Sequence, residues 1–249
     1  MTDALTHGRP KRVAMWSGPR NLSTALMRSF EARPDVAEVW DEPFYAAYLA
    51  ASGEDHPMRA EVLSAQAQDW RVIASACAEA EGPPGTTIYQ KQMTHHMLPG
   101  FGRDWMDAVT NVFLIRAPER VAASYRAKRE AVSLTDIGFV QQAELFDRVA
   151  DRLGKAPPVI DAEDVRADPQ GVLTRLCDAI GLGFEPAMLT WEAGPRDSDG
   201  VWASHWYGAV ERSTGFAPPD PAPAALEGAL ADLAEAARPS YERLKAHAL

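Results

Sequence analysis

The chain has 249 residues, 46% of them hydrophobic, enough to bury a full core as one globular domain spanning 1–249. Its 25 Lys+Arg stand against 35 Asp+Glu, a formal net charge of -10, which argues against a broad basic surface for nucleic acid or anionic membrane. No stretch approaches the roughly 20 apolar residues of a membrane span, and the start, MTDALTHGRPKR, has no apolar leader core; a cytoplasmic protein with free, buried Cys77 and Cys177 is expected.

The first predicted element is organised around residues 13–30, VAMWSGPRNLSTALMRSF. An apolar run gives way to a Ser-Gly-Pro-Arg-Asn turn, and Leu22, Leu26 and Phe30 then recur at helical spacing, so the segment reads as strand, tight turn, helix. Such a turn aims the first-turn N–H groups of the helix at an anion, and Arg20, Ser23 and Thr24 add a guanidinium and two hydroxyls. The spacing departs from Walker A, which needs a Gly-Lys pair before its hydroxyl residue.

Residues 36–40 (VAEVW) read as a second strand, followed by Asp41 and Glu42 ahead of Pro43. Acids at a strand end face a substrate or cap the next helix. Residues 60–80 are alanine-rich and read as one long helix, ended by Gly-Pro-Pro-Gly at 82–85. Residues 86–90 (TTIYQ) form a strand, with Lys91, His95 and His96 just beyond it. These are the best acid–base candidates, since imidazole titrates near neutrality. Neighbouring residues point in different directions, so at most one histidine faces the reaction centre, and no zinc pattern is present.

Residues 111–115 (NVFLI) have the continuous apolar run of a doubly covered parallel strand, with Arg116 at its end. Pro118 opens a helix marked by Val121, Ala122, Tyr125 and Ala131 and made basic by Arg120, Arg126, Lys128 and Arg129. Arg116 and Ser124 form a second anion clamp if the chain turns sharply at Ala117 and Pro118; an arginine answering nearby acids is the alternative. Residues 135–153 read as one amphipathic helix, 159–160 as a short strand, and Asp168-Pro169 as a helix start, with Glu163 and Asp164 placed to orient arginines. The span 189–216 holds three tryptophans and reads as a lid over a ligand, or as aromatics packed on the body. A Pro/Ala-rich link at 217–225 leads to a pair of helices within 224–247.

Together these residues resemble the sulfotransferases that use 3'-phosphoadenosine 5'-phosphosulfate (PAPS), and most narrowly poorly characterised bacterial and plant sulfotransferase-like proteins. The likeness covers roughly residues 12–216. It implies an α/β three-layer sandwich with a mostly parallel central sheet, P-loop NTPase-like. GPRNLSTAL would be the 5'-phosphosulfate loop, formed by Gly18, Pro19, Arg20, Asn21, Leu22, Ser23 and Thr24; Arg116 and Ser124 would be the 3'-phosphate motif. His95 or His96 would be the base, with Lys91 helping at the sulfuryl group. Gly200, Trp202 and Arg212 would be a divergent nucleotide-closing element, and Asp41, Glu42 and Trp206 would face the acceptor. The implied reaction moves a sulfuryl group from PAPS to a hydroxyl or amine of a small molecule, leaves 3'-phosphoadenosine 5'-phosphate and needs no metal. A P-loop-type phosphotransferase and a non-catalytic nucleotide-binding module are the alternatives, and sequence does not decide between monomer and homodimer.

Overall fold

The computed structural model describes residues 8–128 and 132–249; expectations placed on 1–7, Arg129 and Ala131, and on the side chains of Arg126 and Lys128, lie outside the described residues. Five strands form one parallel sheet in the order β2-β3-β1-β4-β5: β1 (Lys11–Ser17), β2 (Val36–Asp41), β3 (Thr87–Met93), β4 (Thr110–Ile115) and β5 (Val159–Asp161). Side chains alternate across each strand, so β1 feeds two cores. Val13 and Met15 pack with Leu26 and Phe30 of α1 (Ser23–Glu31), whereas Ala14 and Trp16 pack on the opposite face with Ile73 and Phe146. Helices thus cover both faces, and central strands buried on both sides read as apolar runs.

Chain order continues with α2 (Tyr45–Ser52), α3 (Arg59–Ala65) and α4 (Trp70–Glu79). The single helix expected over 60–80 is therefore two. Gln66 leaves the helical path because its side chain braces the corner after β2: Nε2 donates to the Glu42 carbonyl at 3.2 Å and Oε1 accepts from Ala46 N–H at 3.2 Å. Asp69 restarts the chain as an N-cap, accepting from the Arg71 N–H.

After β4 come α5 (Pro118–Lys128), α6 (Leu134–Ile137) and α7 (Phe139–Leu153). The helix expected over 135–153 is broken by Gly138 at φ +70°, a left-handed conformation glycine adopts without a side-chain clash. There the carbonyl of Gly138 accepts from Thr94 Oγ1 at 3.0 Å, tying the turn to the end of β3. Beyond β5 lie α8 (Ala162–Ala167), α9 (Pro169–Ala179), α10 (Ala203–Trp206) and α11 (Ala229–Lys245). One C-terminal helix with Pro239 inside it replaces the expected pair. No described helix is long and apolar enough to cross a membrane.

Candidate active site

Strands β1 and β4 are neighbours whose onward connections lead to opposite sides of the sheet. In open parallel sheets a crevice opens at the carboxyl ends of such a pair. The turns after β1, β2 and β3 line a cavity of about 590 Å³ there, bounded by Pro19, Arg20, Ser23, Thr24, Glu42 and Lys91 among others.

The turn after β1 forms one wall of this cavity. Arg20 takes a left-handed φ of 56°, a strain of about 1–3 kcal/mol for a non-glycine residue that persists only where surrounding structure holds it. Its guanidinium carbon lies 5.1 Å from the ring centre of Tyr125 and 5.3 Å from that of Trp206, so the charge is gripped by cation–π contacts. No side chain caps α1, whose N-cap position is the apolar Leu22. Gly18 is required by a close approach: a Cβ there would sit 2.6 Å from the Ile137 carbonyl oxygen.

Two residues of this loop serve it structurally. The Asn21 amide donates to the Leu114 carbonyl at 3.2 Å and its oxygen accepts from Leu22 N–H at 2.8 Å, bracing the turn against β4. Leu22 turns its side chain into the core. Pro19, Asn21, Ser23 and Thr24 all lie on the cavity wall with Arg20.

The opposite wall is a buried ionic cluster. Asp41 and Lys91 are register partners on adjacent parallel strands, so their side chains emerge side by side. Lys91 Nζ donates to Asp41 Oδ1 at 2.9 Å, to Tyr207 Oη at 2.7 Å and to Glu42 Oε1. Tyr207 Oη in turn donates to the Asp41 carboxylate, and the Gly200 N–H reaches Asp41 Oδ2 at 3.0 Å. Burial alone would lower the Lys91 pKa, but Asp41 and Glu42 overcome it and hold the ammonium well above its ordinary value. Glu42 sits at φ 45° and its carboxyl is raised, chiefly by burial and also by Asp41, against the pull of Lys91. Lys91 therefore belongs to β3 itself, tied down by two carboxylates, rather than to a loop beyond the strand.

His95 and His96 follow in a 3-10 turn (Thr94–His96), and both line the cavity. His96 is 1% exposed and stacked on Tyr45 and Tyr48, at 4.7 and 4.8 Å between ring centres. Its Nε2 lies 4.0 Å from Glu42 Oε2. Burial drives the His95 pKa down to about 3, and burial with the neighbouring His95 lowers His96 well below its usual value. Both imidazoles are thus weakened as proton acceptors.

The remaining expected residues are placed as follows. Arg116 stands at the end of β4, outside the cavity wall, and its Nη1 donates to the Arg20 carbonyl at 2.7 Å. Its other contacts are carboxylates: Asp220 at 3.0 Å and Glu163 at 3.6 Å. Ser124 is half-buried on α5 and also outside the wall. Gly200 and Trp202, expected at the nucleotide, contact the ionic cluster: the Gly200 N–H donates to Asp41 and the Trp202 indole to Tyr207 Oη at 3.2 Å, and Trp202 also lines the cavity. Arg212 is exposed and away from the cavity. Asp41 is buried as the anchor of Lys91, whereas Glu42 and Trp206 do reach the cavity. The tryptophans of 189–216 pack on the body: Trp202 is 2% exposed and meets Tyr45 edge-on at 5.0 Å. Sequence reasoning did not single out Tyr45, Tyr48, His56 or Tyr207, all on the wall; the aromatic density directly after the Asp-Glu-Pro turn and after Trp206 was the available signal.

A parallel α/β sheet with helices on both faces and an arginine-bearing strand–loop–helix at its carboxyl edge defines the class of fold. Residues 11–248 match the family described as sulfotransferase domain, and the chain belongs to that family. Two Arabidopsis thaliana proteins, branched-chain-amino-acid aminotransferase-like proteins 1 and 2, are 36% and 35% identical over 96% and 94% of this chain. The chain spans only 42% and 41% of their lengths. Among solved structures, the sulfotransferase domain from the curacin biosynthetic pathway superposes with a TM-score of 0.55 at 17% identity, covering 93% of this chain and 98% of that one. A sulfotransferase from Alicyclobacillus acidocaldarius gives 0.54 at 17% identity, over 95% and 94%. These likenesses bear on the fold; family membership supports a general sulfuryl-transfer function.

Proposed function

We propose that the protein transfers a sulfuryl group from PAPS to a hydroxyl or amine of a small acceptor. The observation that carries this reading is one cavity with an uncapped helix N-terminus and Arg20 on one wall and a buried carboxylate, Glu42, on the other. The residues fit the donor at its 5' end: Gly18 leaves room at the turn, α1 offers first-turn N–H groups, and Arg20 supplies a delocalised cation. When bound, PAPS supplies the sulfuryl group and leaves as 3'-phosphoadenosine 5'-phosphate.

Arg20 and the α1 N-terminus oppose the negative charge that grows on the transferring oxygens. Glu42 takes the acceptor proton. It outranks His95 and His96 in this role because Lys91 fixes its carboxylate at the cavity and burial raises its pKa, which makes it the stronger base, while the same burial lowers the imidazoles. Lys91 fixes the Glu42 carboxylate at Oε1, and Oε2 lies toward His96. Arg20→Ala tests the donor wall. It should lower transfer from PAPS by roughly 10²–10³-fold with an unchanged melting temperature; full activity of that variant contradicts the reading.

A further inference from the structure

The cavity wall holds four carboxylates, Glu42, Glu54, Asp55 and Asp136, against Arg20 and Lys91. Lys91 is enclosed by Asp41, Glu42 and Tyr207, and Arg20 lies against Tyr125 and Trp206. The other three carboxylates gather elsewhere, around Tyr48 and His56: the fields of Glu54 and Asp136 reach both of those residues, and that of Asp55 reaches His56. Glu54 and Asp55 follow α2, whereas Asp136 comes from α6. Among the described residues none of the three is ion-paired, for Arg59 donates instead to the main-chain carbonyls of Glu54 and Leu49, at 3.1 and 3.2 Å. Aromatic faces complete this end. The His56 ring centre lies 5.8 Å from that of Tyr45 and 5.7 Å from that of Tyr48, and the Tyr45 hydroxyl meets His56 Nδ1 at 2.9 Å. Burial disfavours the charged form of His56, His95 and His96, so these rings do not oppose a cation. An independent feature marks a ligand's seat. His96 is 1% exposed on the cavity wall, its Nδ1 is buried without a hydrogen-bond partner, and its Nε2 stops 4.0 Å from Glu42 Oε2, a gap that a direct hydrogen bond does not span.

Resting on the sulfuryl-transfer reading, we propose that the acceptor is a hydroxyl compound that also carries a cationic nitrogen, an amino alcohol in its simplest form. Its hydroxyl sits in the gap between Glu42 Oε2 and His96 Nε2, and its nitrogen among Tyr48, His56 and the three carboxylates. Ring faces and carboxylates both attract a cation, whereas an anionic acceptor would meet like charge at Glu54, Asp55 and Asp136. In the transfer the hydroxyl oxygen forms a new bond to sulfur and the hydroxyl proton passes to Glu42. The bond from sulfur to the 5'-phosphate oxygen breaks, and its electron pair leaves with 3'-phosphoadenosine 5'-phosphate. The cationic nitrogen takes no part in the chemistry and sets which hydroxyl compound is held.

The test is steady-state kinetics on the full chain with PAPS and a matched panel: amino alcohols of about two to six carbons, their N-trimethyl forms, and the uncharged alcohols of equal length. The charged members should show a kcat/KM about tenfold above that of their uncharged partners, the order of one cation–π contact. Glu54→Gln combined with Asp55→Asn, both at exposed positions, should raise KM for the charged members by about the same factor and leave KM for PAPS in place. Three results overturn the cationic acceptor while the PAPS reading stands: equal or better turnover of the uncharged alcohols, a charge preference undiminished in the double variant, or no turnover of any member by a protein that binds 3'-phosphoadenosine 5'-phosphate in calorimetry. No turnover together with no binding of that nucleotide overturns both.

Discussion

The two walls of the cavity are built in opposite ways. The arginine wall is a single stretch of chain, residues 17–24, whose charged group lies against two aromatic rings. The ionic wall draws Asp41, Lys91 and Tyr207 from three distant segments into one buried network, with Lys91 and Asp41 side chains 2% and 1% exposed. A local wall can lose its charge without losing the fold, because Arg20 lines the cavity against ring faces. A long-range buried wall cannot, since each removed member strands the others in a poorly solvating interior.

The largest effect that sharpens this contrast is on chemistry. Glu42→Gln keeps size and hydrogen bonding but removes the proton acceptor, and kcat should fall by about 10²–10⁴-fold. In the wild type, activity should rise with pH through a pKa above the ordinary carboxylate value, because the base works deprotonated and burial raises it. Loss of that rising limb in Glu42→Gln, with His95→Ala retaining it, is the expected pair of profiles; the converse assigns the proton to the histidine.

Next comes stability. Lys91→Met leaves two carboxylates side by side in the interior and should destabilise the fold by about 3–5 kcal/mol, measured by urea unfolding at neutral pH. Arg20→Ala, from the other wall, should leave the midpoint in place, so equal losses in the two variants break the contrast.

A smaller effect tests the neutral histidines. The folded pKa of His95 is about 3, below its ordinary 6.5. Unfolding therefore takes up a proton between those values, and stability present above pH 6.5 is lost as pH falls toward 3. The slope is about 1.4 kcal/mol per pH unit for one such group, and His96 adds in the same sense. Glu42, with its raised pKa, works against it. Replacing both histidines by phenylalanine should flatten the acid limb of the urea midpoint between pH 6.5 and 5.

The same contrast explains what was readable in the chain. The strand, turn and helix over residues 11–31 follow from hydrophobic period and turn chemistry, both local, and the structure has them in that order. The parallel strands and the Asp168-Pro169 helix start were legible for the same reason. Helix breaks at Gln66 and Gly138 were not, because each answers a tertiary contact: Gln66 to the corner after β2, Gly138 to Thr94. In the site, Arg20 was legible from its turn, whereas the roles of Gly200 and Trp202 were not. Gly200 pairs with Asp41, 159 residues away in sequence, and Trp202 joins that cluster through Tyr207; no spacing rule reaches that far. The depressed histidines were likewise hidden, since the stacking of His96 on Tyr45 and Tyr48 and the edge contact of His95 with Tyr48 exist only after folding.

The most direct test of the donor assignment is which nucleotide stabilises the purified protein in a thermal melt. At about 100 times its Kd a ligand that binds only the folded state adds about 2.7 kcal/mol, several degrees for a chain of this size. A shift with 3'-phosphoadenosine 5'-phosphate in metal-free buffer, and none with ATP and magnesium, is the predicted result. A shift only with ATP and magnesium would contradict it.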